Sequence, residues 1–108
     1  MVSTPSTHPP DSSEAFERLL EDRGRALDAA GDTDGAGGLS SVRGLIWYAK
    51  GHEGVISATR AYTFASHRAE AYEQEADLYA HAGDVAREQV ARRAAAAIRD
   101  VMAEGLGG

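Results

Sequence analysis

Cysteine is absent from the 108 residues. Disulfides, thiolate metal sites, iron–sulfur clusters and cysteine nucleophiles are therefore excluded. Aromatic residues make up only 6% of the chain, and no run of about 18 apolar residues occurs, so no membrane-spanning helix is expected. Proline is confined to Pro5, Pro9 and Pro10. The opening stretch Met1–Pro10 has neither the basic region nor the apolar core of a secretory signal, which makes the cytoplasm the expected compartment. No pattern reads as a strand, so neither a phosphate loop following a strand nor a nucleophile elbow has a place to form. No cofactor is expected.

What is present is acidic and rich in alanine. The formal net charge is −6, which opposes nucleic-acid or anionic-membrane binding, since both need clustered positive charge. Alanine dominates the apolar residues and buries little area, so the core of a single chain is expected to be thin. A second chain would bury more, and self-association is the expected consequence. The length suits one domain.

Residues 1–12 hold every proline together with Ser and Thr and read as a disordered tail. A single helical domain is expected over 13–104, with a flexible end over 105–108. Helix 1 is predicted over 13–30, opened by the capping box Asp11-Ser-Ser-Glu14, with Phe16, Leu19, Leu20, Leu27 and Ala30 as its apolar stripe. The glycine-rich stretch 31–38 reads as a flexible loop. Asp32 and Asp34 there have the start of a calcium-loop spacing but not its later ligands. Helix 2 is predicted over 39–50, capped by Ser40 or Ser41, with Val42, Leu45, Ile46 and Trp47 as its apolar content. A turn is expected at 51–54. Helix 4 is predicted over 85–103, capped by Asp84, with Ala86, Val90, Ala94, Ala97 and Val101 as its packing face. Residues 1–34 carry eight acids against three bases, while 85–104 carry four arginines against three acids. Helix 1 against helix 4 is therefore the electrostatically favoured pairing.

Helix 3, predicted over 55–82, has the clearest periodicity. Val55, Ala58, Tyr62, Ala65, Ala69, Tyr72, Ala76 and Tyr79 fall on alternating steps of three and four. That is a heptad seam in which small residues allow close approach and rings fill the gaps. It is the expected interface with a partner chain. A second stripe, Arg60, Thr63, His67, Glu70, Gln74, Asp77 and His81, is wholly polar and amphipathic to the first.

Within the hairpin of helices 3 and 4, Tyr72-x3-Ala76-x2-Tyr79-x3-Gly83-Asp84 resembles the first helix and turn of a tetratricopeptide repeat. Glu75 and Arg92 depart from that pattern. Gly44-x2-Trp47-x3-Gly51 has a similar layout earlier in the chain. The resemblance covers barely half of the sequence and implies a tetratricopeptide-like helical hairpin.

Four constellations could carry chemistry. His67 with Glu70, and Asp77 with His81, are each one turn apart and could each supply half a metal site. The two histidines lie roughly 21 Å apart along a helix, so each pair needs further ligands, for which Glu17 and Glu21 are candidates. Arg60-x6-His67 fits the loose spacing of a helical ribonuclease motif, a cation for phosphate and an imidazole for proton transfer. Arg87, Arg92, Arg93 and Arg99 could face DNA, and Leu106-Gly-Gly108 ends the chain as ubiquitin-like modifiers do.

The expected fold is all-α: a compact bundle of about four helices, its long third helix forming an antiparallel hairpin with the fourth. The expected function is non-enzymatic, a helical interaction or assembly module that self-associates through the seam. The alternative is a metal-binding bundle using His67, Glu70, Asp77 and His81, and a lesser one is a tetratricopeptide-like helical hairpin.

Overall fold

The local signals that start and stop helices set the architecture. Ser57 accepts a hydrogen bond from the Arg60 N–H at 3.0 Å, and Asp84 accepts one from the Arg87 N–H at 3.2 Å. Each satisfies a donor that a helix N-terminus leaves orphaned. Gly31, Gly54 and Gly83 hold positive φ just past three helix ends, the conformation that closes a helix at its C-terminus.

The computed structural model describes residues 12–107. Four helices follow in order: α1 (Glu14–Ala29), α2 (Thr33–Glu53), α3 (Ala58–His81) and α4 (Val85–Gly107). Among the described residues there is no strand, only an isolated antiparallel bridge between Ser12 and Ser57. The expected tail 1–12 lies outside the described residues except for Ser12.

The all-α hairpin architecture is as expected. α3 and α4 make the most extensive contact in the chain, α2 lies against α4, and α1 lies against α2. The core joins Phe16 and Leu20 of α1, Leu39, Val42, Ile46 and Ala49 of α2, Ile56 of the connection, Ala61, Ala65 and Ala69 of α3, and Ala97, Ile98 and Val101 of α4. Farther along the hairpin the contact is alanine on alanine, with Ala76, Ala91, Ala94 and Ala95 all buried.

Several expectations are corrected, among them the turn at 51–54, since α2 runs on to Glu53. The stretch 31–38 is not a loop, because α2 begins at Thr33. Asp32, rather than Ser40 or Ser41, caps it and accepts the Gly35 N–H at 2.9 Å. Its other oxygen takes Arg93 of α4 at 2.5 Å. Glycine is needed there for proximity: a Cβ on Gly38 would come within 2.6 Å of the Ala94 carbonyl oxygen. The low helix propensity of this segment is outweighed by packing that only a glycine permits.

Likewise, α4 continues through the end expected to fray. A Cβ on Gly105 would collide with the Tyr62 hydroxyl, so this glycine also marks a close approach. Helix 3 starts at Ala58, which leaves Val55 in the connection. The pairing of α1 with α4 is the lesser one, and its ion pair runs opposite to the charge argument. Arg23 of α1 holds Glu104 of α4. Ser13 precedes α1 without a side-chain cap. Its hydroxyl donates to Glu17 at 2.7 Å instead, and Asp11 of the expected capping box lies outside the described residues.

Candidate interaction surface

The polar stripe of α3 is built from groups that already have partners or point to solvent. His67, Glu70, Asp77 and His81 are all exposed. The Asp77 carboxylate takes Arg92 at 3.2 Å, and His81 Nδ1 lies 3.0 Å from the Asp77 carbonyl oxygen. Glu17 holds Lys50 at 3.0 Å, and Glu21 holds Arg25 and Arg43. Among the described residues no three His, Asp or Glu side chains converge on a point that could hold a metal ion. Asp32, the first residue of the calcium-like spacing, is occupied by its cap and by Arg93. Its carboxyl is held below the usual range, first by the Gly35 N–H and then by Arg93.

The arginines of α4 are matched in the same way. Arg87 lies 3.6 Å from Asp84, Arg92 meets Glu88 and Asp77, Arg93 meets Asp32, and Arg99 meets Glu73 at 2.9 Å. They form an alternating surface rather than a basic stripe for a phosphate backbone. Arg60 is likewise engaged. It reaches Glu53 at 2.5 Å and lies over the Phe64 ring at 5.0 Å, which ties it to its own neighbours rather than leaving it beside His67 as a phosphate clamp.

The heptad seam lies largely inside the chain. Ala65, Ala69 and Ala76 are completely buried. Tyr62 stacks on Phe16 with ring centroids 4.2 Å apart, and burial pushes its hydroxyl pKa up. Tyr72 is half-buried beneath Arg68, 4.8 Å from its ring. Ala58 and Tyr79 are partly covered, and Val55 stands 68% exposed. The steps of three and four thus mark a packing face whose principal cover is α4 of the same chain.

The apolar surface that remains open lies elsewhere, on α2. At 100° per residue, Leu39, Val42, Ile46 and Ala49 share one face and are buried. Gly44 and Gly51 fall on the opposite side, with open space where a Cβ would stand. Trp47 (77% exposed) and Tyr48 (64%) flank them. Toward α1 the face borders a groove of about 490 Å³ lined by Glu14, Glu17, Arg18, Glu21, Arg43 and Trp47. Toward α3 it borders a smaller one that includes Leu45, Tyr48, His52, Arg60 and Phe64. The Tyr48 and His52 rings lie 4.5 Å apart. A second apolar patch sits at the hairpin tip, where Leu78, Val85 and Val90 are exposed.

The sequence alone groups Leu45 and Trp47 with Val42 and Ile46 as the apolar content of one helix. The missed signal was angular: Trp47 stands 100° from Ile46 and cannot share its face, while Gly44 and Gly51 are seven residues apart on the side away from the core. The chain matches no family model, no curated protein and no solved structure.

Proposed function

We propose that the chain is a non-enzymatic helical interaction module that assembles with protein through the outer face of α2. One observation carries this reading. Trp47 and Tyr48 stand largely in water on a helix whose opposite face is fully buried core. Exposed aromatics beside an open groove are the composition of an interaction hot spot. Because much of the α3 seam packs within the chain, this reading sets the interface on α2 in place of α3.

The test is a photo-reactive amino acid placed at Tyr48, with a control at Ala103 on the exposed side of α4. Irradiation in cells is expected to give discrete protein adducts from position 48 and none from 103. Equal labelling at both positions, or none at either, overturns the reading.

A further inference from the structure

We infer that the occupant of the α2 face is a second copy of this chain, packed with its α2 parallel to the first. The inference rests on the interaction-module reading above and names its partner.

The face is self-complementary in shape. Gly37, Gly44 and Gly51 repeat every seven residues and are exposed, and a Cβ at any of them would meet nothing within 4 Å. Trp47 occupies the other seam position of the same heptad. In a parallel pair of helices, a side chain at that position enters a hole formed by four residues of the facing helix. For Trp47 those four are Gly44, Trp47, Tyr48 and Gly51 of the second copy. A side chain as large as Trp fits only a hole with small walls, and two of the walls are glycine. One face therefore supplies both the projecting ring and the gap, as a two-fold interface requires.

A two-fold axis parallel to α2 sets the α1 border of one copy against the α3 border of the other. Both borders are mixed in sign and paired within the chain, Glu17 with Lys50 and Glu21 with Arg25 and Arg43 on the α1 side, Arg60 with Glu53 on the α3 side. No block of like charge opposes the contact, and the orientation rests on the hole that receives Trp47.

The area is consistent with a reversible dimer. Trp47 and Tyr48 supply roughly 300 Å² per copy. With Leu45, the glycine backbone and the groove walls added, the pair approaches the lower end of specific interfaces, on the order of 1,200 Å² in total.

The experiment measures solution mass by sedimentation from micromolar to millimolar concentration, at low and high salt. Emission of Trp47, the only tryptophan in the chain, is followed alongside. The mass is expected to rise from 11.4 kDa toward twice that value. The emission should shift to the blue over the same concentrations, and neither change should depend strongly on salt. Gly44→Lys occupies open space in the single chain and is expected to leave the circular dichroism unchanged while weakening association at least tenfold. Because the chain has no cysteine, G37C and G51C report orientation. Each is expected to form its own symmetric disulfide, and a preference for the mixed G37C–G51C product overturns the parallel arrangement. A mass fixed at 11.4 kDa throughout, or a dimer indifferent to Gly44→Lys, overturns the second copy as occupant. A monomer that still gives adducts at position 48 in cells overturns this inference alone; a monomer without such adducts removes the interaction-module reading as well.

Discussion

At the scale of single residues, glycine does opposite work in α1 and in α2. Gly24 has open space around it, whereas a Cβ on Gly38 would press on the Ala94 backbone. Both lie inside helices, where alanine is intrinsically better by up to about 1 kcal/mol. Gly24→Ala is accordingly expected to stabilise the chain by a few tenths to about 1 kcal/mol. Gly38→Ala must push α2 away from α4, and overpacking of that kind costs about 1–3 kcal/mol, so the sign reverses. Urea denaturation of the two variants against the parent checks this. If both stabilise equally, α2 and α4 leave room for a methyl group at Gly38.

At the scale of elements, three of the carboxylates that tie one helix to another have a lowered pKa. Asp32 joins the start of α2 to Arg93 of α4. Glu73 joins α3 to Arg99 of α4. Glu104 joins α4 to Arg23 of α1. All three are held below the ordinary carboxyl range. For Asp32 the first cause is the Gly35 N–H and then Arg93; for Glu73 and Glu104 it is the hydrogen bond from the partner arginine. A carboxyl with a lowered pKa in the folded state adds stability above its unfolded value, near 4. That stability is lost as pH falls through the folded value. Thermal stability is therefore expected to be level from neutral pH down to about 5 and to fall below about 4. Glu73→Gln should melt below the parent at neutral pH, and the two melting temperatures should converge in acid. Calorimetry across that range checks it, and a constant difference at every pH would assign the Glu73 effect to packing.

Some elements are legible from the sequence and others are not, for physical reasons. α3 shows itself because Ala and Tyr recur at helical steps from Ala58 to Tyr79, and α4 because alanine fills Ala94–Ala97. The first turns of α2 are illegible locally. Gly35, Gly37 and Gly38 have the composition of a loop, and what makes them helical is the Asp32 cap together with a neighbour, Ala94, more than fifty residues away. The α3 seam is recognisable as a packing face, but periodicity does not say whether its cover comes from the same chain or another. The site was legible only in part, since the glycine heptad on α2 is visible in the sequence while the direction that Trp47 faces depends on where the core lies.

At the scale of the whole molecule, cohesion is uneven along the α3–α4 hairpin. Near Leu39, Val42, Ile46 and Ile98 all four helices contribute to one buried cluster. Toward the turn at Gly83 that support gives way to alanine contacts such as Ala76 and Ala91, with Leu78 (71% exposed), Val85 and Val90 outside. Alanine buries far less area than leucine or isoleucine, and two helices alone bury one stripe rather than a core. Opening of this end therefore leaves the four-helix cluster intact, which makes it a local event of lower free energy than global unfolding. Amide hydrogen exchange is expected to show residues 75–90 exchanging faster than 42–49 and 94–101. Denaturant should lift the exchange of the slow group steeply, as for a global opening, and that of the tip only weakly. The replacement Leu39→Ala, which opens a cavity in the cluster and costs about 2–5 kcal/mol, should accelerate the slow amides by the full amount and leave the tip nearly unchanged. If the tip amides accelerate in step with the core, the hairpin opens only with the whole molecule, and the four helices form a single cooperative unit.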